Sequence, residues 1–219
     1  MKKLFLLGLM AIIATATSCT SLAPKKIVVT PETAKIYVDG NYVGDGSYFV
    51  RFGPGNDFYT VKTEAPGYVT KQMRIYQQDT RNVIAVDLRQ DDSIDGSVVS
   101  NLANQYFTIR VRAGVDEDAA WKLLTQVLLN YFNEIKTSDK SSGYMNTAWY
   151  IHQFPMAEVK VRTMVQIKQV TTGDGLTYQV RISSEIAPLD TFGQQGFKPW
   201  GRILKQYEPI INELQQRLS

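Results

Sequence analysis

Between Ile27 and Leu88 the chain meets a turn signal about every ten residues, which excludes helices of useful length and leaves short strands. Ile27-Val28-Val29-Thr30 runs into Pro31, and Ile36-Tyr37-Val38 leads to Asp39-Gly40-Asn41, where glycine tolerates the positive φ of a tight hairpin. Tyr42-Val43 stops at Gly44, and Tyr48 to Phe52 is followed by Gly53-Pro54-Gly55-Asn56. Phe58 to Thr63 precedes Ala65-Pro66-Gly67-Tyr68, and two more strands cover Thr70 to Tyr76 and Asn82 to Leu88. The rhythm predicts a small antiparallel β-sandwich over residues 27–89.

The same residues carry a resemblance. Pro31-Glu32-Thr33-Ala34, then Ile36-Tyr37-Val38-Asp39-Gly40 and Val43-Gly44, and later Ala65-Pro66-Gly67-Tyr68, are similar to the PEGA domain. Thr33 stands where that family favours glycine, and Asp45-Gly46-Ser47 replaces its usual hydroxyl residue and proline. The resemblance implies a module of bacterial envelope and surface proteins that binds or spaces and has no assigned chemistry. Tyr68 reads as a packing residue whose hydroxyl reaches a partner.

Residues 90–105 read as a linker with Asp91, Asp92, Asp95 and Gly96, with room for a short edge strand at Val98-Val99. Over 106–219 the pattern changes. Tyr106 to Arg112 alternates as a strand, and Asp116, Glu117 and Asp118 supply the negative charge that a helix N-terminus favours. Ala120, Leu123, Leu124, Val127, Leu128, Tyr131 and Ile135 form one apolar helical face, and Thr137 to Gly143 a polar loop. Strands are expected at 144–153, 157–170 and 176–186, the last two joined by Thr171-Thr172-Gly173-Asp174-Gly175. Pro199 opens a long terminal helix with Trp200, Ile203, Leu204, Tyr207, Ile210, Ile211, Leu214 and Leu218 on one side and a kink at Pro209. An α+β domain follows, its terminal helix packed across an antiparallel sheet. The run Ala119 to Leu124, with Ile135, Asp139 to Gly143 and Thr147-Ala148-Trp149, resembles the helix-grip domains of Bam-complex lipoproteins. That resemblance implies topology and leaves function open.

At the start, Lys2 and Lys3 precede an apolar run from Leu4 to Ala14, too short for a membrane span of roughly 20 residues. Ala16-Thr17-Ser18-Cys19 resembles the lipobox of bacterial lipoproteins, with Ala16 where leucine is commoner. The resemblance implies that residues 1–18 are a cleaved signal and that Cys19 carries acyl chains, with 19–26 as acylated cysteine and tether. Two or more chains anchor stably. For a chain of that resemblance, Thr20 at the second mature position and the absence of acidic residues before Lys26 imply, by what is known of lipoprotein sorting, the outer membrane and its periplasmic face.

Cleavage would remove Lys2 and Lys3 from 24 basic residues, leaving 22 against 21 acidic ones, so the mature chain is nearly neutral and carries no nucleic-acid footprint. Cys19 is the sole cysteine, so once it is acylated no thiol remains for a disulfide, a catalytic nucleophile or a soft-metal site, and with His152 the sole histidine no multi-histidine zinc site can form. Asp91, Asp92 and Asp95 lack calcium-loop spacing. Glu64, Asp116, Glu117 and Glu185 offer no evident acid–base pair, and Trp121 and Tyr131 read as core. The remaining candidate is Phe192, Phe197 and Trp200 around Gly193, Gly196 and Gly201, a loop fit to line a pocket or a partner groove. The expectation is a non-enzymatic envelope lipoprotein without cofactor or metal, scaffolding a protein complex or peptidoglycan. The alternative is a periplasmic carrier of a hydrophobic small molecule in the C-terminal domain, which needs a cavity under the last helix.

Overall fold

The computed structural model describes residues 23–172 and 175–219; Cys19, Gly173 and Asp174 lie outside the described residues. Seven strands come first: β1 (Lys25–Thr30), β2 (Lys35–Val38), β3 (Asn41–Asp45), β4 (Ser47–Val50), β5 (Phe58–Glu64), β6 (Lys71–Tyr76) and β7 (Val83–Asp87). They make a three-stranded sheet, β4-β1-β7, and a four-stranded one, β3-β2-β5-β6. Alternate residues point into one core, where Ile27, Val29, Ile36, Val61, Ile75, Ile84 and Val86 are each 4% exposed or less. Each such burial stabilises the fold by about 1.5–3 kcal/mol. The hairpin at Asp39-Gly40 has both φ angles positive, 47° and 83°, the mirror-image turn that matches strand twist. Asp39 Oδ1 also accepts from the Thr60 N–H at 2.8 Å.

The sandwich is not wholly antiparallel. β1 and β7 pair in parallel, from Lys26 opposite Val83 to Thr30 opposite Asp87. Alternation sets which face a strand buries but carries no sign of its direction. Lys26 is flanked by Phe49 on β4 and Val83 on β7. The chain therefore enters the sandwich at the end where β4 and β6 finish and where β5 and β7 start. β7 leaves at the opposite end.

The second part comprises α1 (Asp92–Asp95), β8 (Ser97–Val99), β9 (Tyr106–Arg110), α2 (Glu117–Tyr131), β10 (Ile135–Asp139), β11 (Tyr144–Thr147) and β12 (Tyr150–Phe154). Then come β13 (Val159–Thr172), β14 (Gly175–Pro188), β15 (Lys198–Pro199), β16 (Arg202–Leu204) and α3 (Pro209–Leu218). The antiparallel sheet β10-β11-β13-β14-β15, with β12 beside β13 and β9 beside β14, is built on the long β13–β14 hairpin. Ala120, Leu124, Val127 and Leu128 of α2, and Ile210, Leu214 and Leu218 of α3, are fully buried in one core with the sheet's Val161, Val165 and Ile182. The whole is a mixed, β-rich fold closed by a C-terminal helix.

Three expectations change here. The last helix starts at Pro209, ten residues later than the pattern from Pro199 predicted. A proline in the first helical position has no N–H to lose, so the expected kink is a beginning. Ile203 and Leu204 instead belong to β16, which pairs with β8, and Tyr207 to a 3₁₀ turn; three short elements mimicked one helical period. Second, α2 stops at Tyr131, and Ile135 opens the β10–β11 hairpin, which claims most of the expected polar loop. Third, the 90–105 segment is structured: α1 and β8 lie within it, and Ala103 bridges to Ile182.

Candidate functional site

The aromatic loop lies between β14 and β16, and its anchor is a residue on β13. Arg162 stands beside Glu185 in the β13–β14 register, and its guanidinium reaches that carboxylate through Nε at 2.7 Å and Nη2 at 2.6 Å. It stacks between two rings, 4.0 Å from the Phe197 centroid and 4.4 Å from that of Trp149, and donates from Nη1 to Gln194 Oε1. The Lys160 ammonium donates to the Thr191 carbonyl. A planar cation with five donors suits this combination of fork and stack, which lysine could not reproduce.

The three predicted residues thus take different parts. Phe197 is half-buried as one wall of the Arg162 stack. Trp200 is half-buried against the C-terminal core, its N–H and C=O bonded to the Ser184 carbonyl and the Asn104 amide. Phe192 is 92% exposed at the tip. The loop is a braced platform presenting one ring, and the three aromatics do not line a common pocket. Arg162, and its pairing with the Glu185 already named, escaped the sequence reading because their meeting depends on the β13–β14 register. An arginine at an outward strand position, with acidic and aromatic residues free elsewhere, was the available signal.

The other candidates resolve into structural roles. Asp91 caps α1, accepting from the Ser93 N–H at 3.1 Å, while Asp92 accepts from the N–H groups of Met156 and Ala157 at 3.2 and 2.9 Å. Asp116 caps α2 through the Ala119 N–H at 2.7 Å, and Glu117 lies in the first turn. Glu64 pairs with Lys62 at 2.8 Å, and this hydrogen bond holds its carboxyl below the ordinary range. His152 sits half-buried on β12, its ring 4.6 Å from that of Phe154. Tyr131 donates to Glu213 at 2.7 Å, and Trp121 packs on the core beside Tyr178. Among the described residues no group of three or more His, Cys, Asp or Glu could hold a metal ion.

Where the sandwich meets the second part, a cleft of about 410 Å³ is lined by Lys71, Asp87, Arg89 and Glu158. The Arg89–Glu158 ion pair of 2.7 Å crosses it, and the guanidinium holds that carboxyl below its ordinary range. Among the described residues no helix is long and apolar enough to cross a membrane.

No family model and no curated protein matches the chain. Among solved structures it is similar to a protein of unknown function and presumed membrane association from Bacteroides fragilis NCTC 9343. The two are 11% identical at a TM-score of 0.24, over 74% of this chain and 96% of that one.

Proposed function

We propose that this chain is an outer-membrane lipoprotein of the bacterial envelope, anchored through acylated Cys19 and facing the periplasm. In this reading the PEGA-like sandwich is the stalk and the helix-grip-like domain the head. The head binds or scaffolds an envelope protein complex or peptidoglycan and performs no chemistry. The observation that carries the reading is the head's braced loop, which holds Phe192 at 92% exposure on a platform fixed by Arg162. A rigid aromatic with little entropy to lose is the kind of residue that anchors an interface. The carrier alternative needs space beneath α3, where Ile210, Leu214 and Leu218 are fully buried in one core with the sheet.

A photo-crosslinking amino acid at position 192, activated in intact envelopes, tests the reading. Capture of a defined complex or of peptidoglycan fragments, abolished with Cys19→Ala, supports it. Labelled lipid on Cys19, read by mass spectrometry of the purified protein, checks the anchor separately. Unmodified Cys19 together with an empty crosslink would refute the proposal.

A further inference from the structure

The entry end of the sandwich differs from its opposite end. On the outer face of β4-β1-β7 the first row across the strands is Phe49, Lys26 and Val83. Phe49 is 57% and Val83 55% exposed, with the Lys26 ammonium 5.6 Å from the Phe49 ring. The next row is Ser47, Val28 and Ala85, and the row after that holds Thr30 and Asp87. Apolar and cationic character is therefore concentrated at one end of the strands.

The other sheet repeats this. Phe58 opens β5 opposite Tyr76, which closes β6, and both rings are 42% exposed, 5.8 Å apart. The Arg74 guanidinium lies 4.7 Å from Phe58. Because β6 ends where β7 begins, this pair belongs to the same end as Val83. Four exposed apolar side chains and three basic ones, Lys26, Arg74 and the exposed Arg51, thus rim one end of the sandwich, beside the exposed Asp57 and the ion-paired Asp79 and Arg81, which leave it net positive.

The position of that rim relative to Cys19 names its occupant. Lys25, the first residue of β1, lies six residues on from Cys19, a span of at most about 22 Å when fully extended. We propose that the entry rim is a membrane-docking surface. Its aromatic rings settle among lipid headgroups, and its cations meet anionic phosphates of the bilayer that holds Cys19. This rests on the lipoprotein reading for the anchor and adds a second contact. Aromatic residues with an apolar body and a polar or cationic neighbour favour the headgroup layer, and basic side chains near an anionic surface add attraction. A single short tether leaves orientation free; a rim that touches the surface fixes it.

The test uses the mature chain, residues 19–219, coupled through its only thiol, Cys19, to maleimide-bearing lipid in vesicles containing phosphatidylglycerol. Chemical coupling makes the result independent of whether cells acylate Cys19, so its failure is distinct from failure of the lipoprotein reading. Hydrogen exchange read by mass spectrometry should slow several-fold in peptides 49–58 and 76–83 on coupling, while peptides around Phe192 stay unchanged. The double variant Phe49→Ser/Phe58→Ser should lose that protection, with circular dichroism and thermal midpoint checking that it remains folded. Exchange at the rim unaltered by coupling would overturn the proposal. So would rim protection that appears only when peptidoglycan sacculi are added, which would give the rim to the cell wall.

Discussion

Tyr178 lies on β14 with its ring wholly buried, and its hydroxyl has no hydrogen-bond partner among the described residues. Burial, with the nearby Glu117 charge, pushes its phenol up to about 12. Tyr178→Phe removes a hydroxyl that the fold does not use, so the variant should be as stable as the parent or up to about 1 kcal/mol more stable in urea titrations. The pH dependence has a definite sign. The folded phenol keeps its proton when an unfolded one, near pH 10, gives it up. The parent should therefore lose stability as pH rises from about 10 to 12, and the variant should lose less. The residue type and its strand position were legible in the sequence, since Tyr178 falls on the alternating inward face. Its orphaned hydroxyl was not, because that depends on what sits opposite in three dimensions. Gly46 shows the same division: with φ at +66°, a Cβ there would stand 2.5 Å from the Glu32 carbonyl oxygen. The sequence marks a turn, and only the structure reveals the close approach behind it.

Among the elements, the loop from Leu189 to Phe197 owes its order to Arg162, whose side chain is 11% exposed. Removing one member of a buried pair strands the other charge, so Arg162→Ala should cost about 3 kcal/mol. It should also speed proteolysis within 190–198, and Arg162→Lys should not restore the loop, because lysine supplies neither fork nor stacking plane. Limited digestion followed by mass spectrometry checks both. Most strands of the sandwich and the α2 stripe could be read from periodicity, since each buries its own face. Elements stitched by remote partners could not. β16 exists because β8 lies beside it, Ile203 opposite Val98, although Ile203, Leu204 and Tyr207 happen to keep helical spacing. The loop aromatics were found as a group by composition, yet register decided which of them would be braced and which presented.

At the scale of the molecule there are two apolar cores, one in the sandwich and one under α2 and α3. The three tryptophans, Trp121, Trp149 and Trp200, all lie in the second part. Tryptophan fluorescence therefore follows only that part during denaturation. Leu214→Ala should lower the tryptophan transition by about 2–5 kcal/mol, whereas Ile75→Ala should shift the sandwich signal by a similar amount and leave the tryptophan midpoint in place. A single shared transition in both variants would mean that the ties across the cleft, including Arg89–Glu158, make the parts cooperative. The parallel pairing of β1 with β7 has a mechanical meaning. A pull between a fixed entry end and the second part would drag these neighbours in opposite directions along their length. Their ladder, from Lys26–Val83 to Thr30–Asp87, is then loaded in shear, and its hydrogen bonds must fail together and not one after another. A sandwich wired this way resists tension far better than one whose terminal strands could be unzipped from an end.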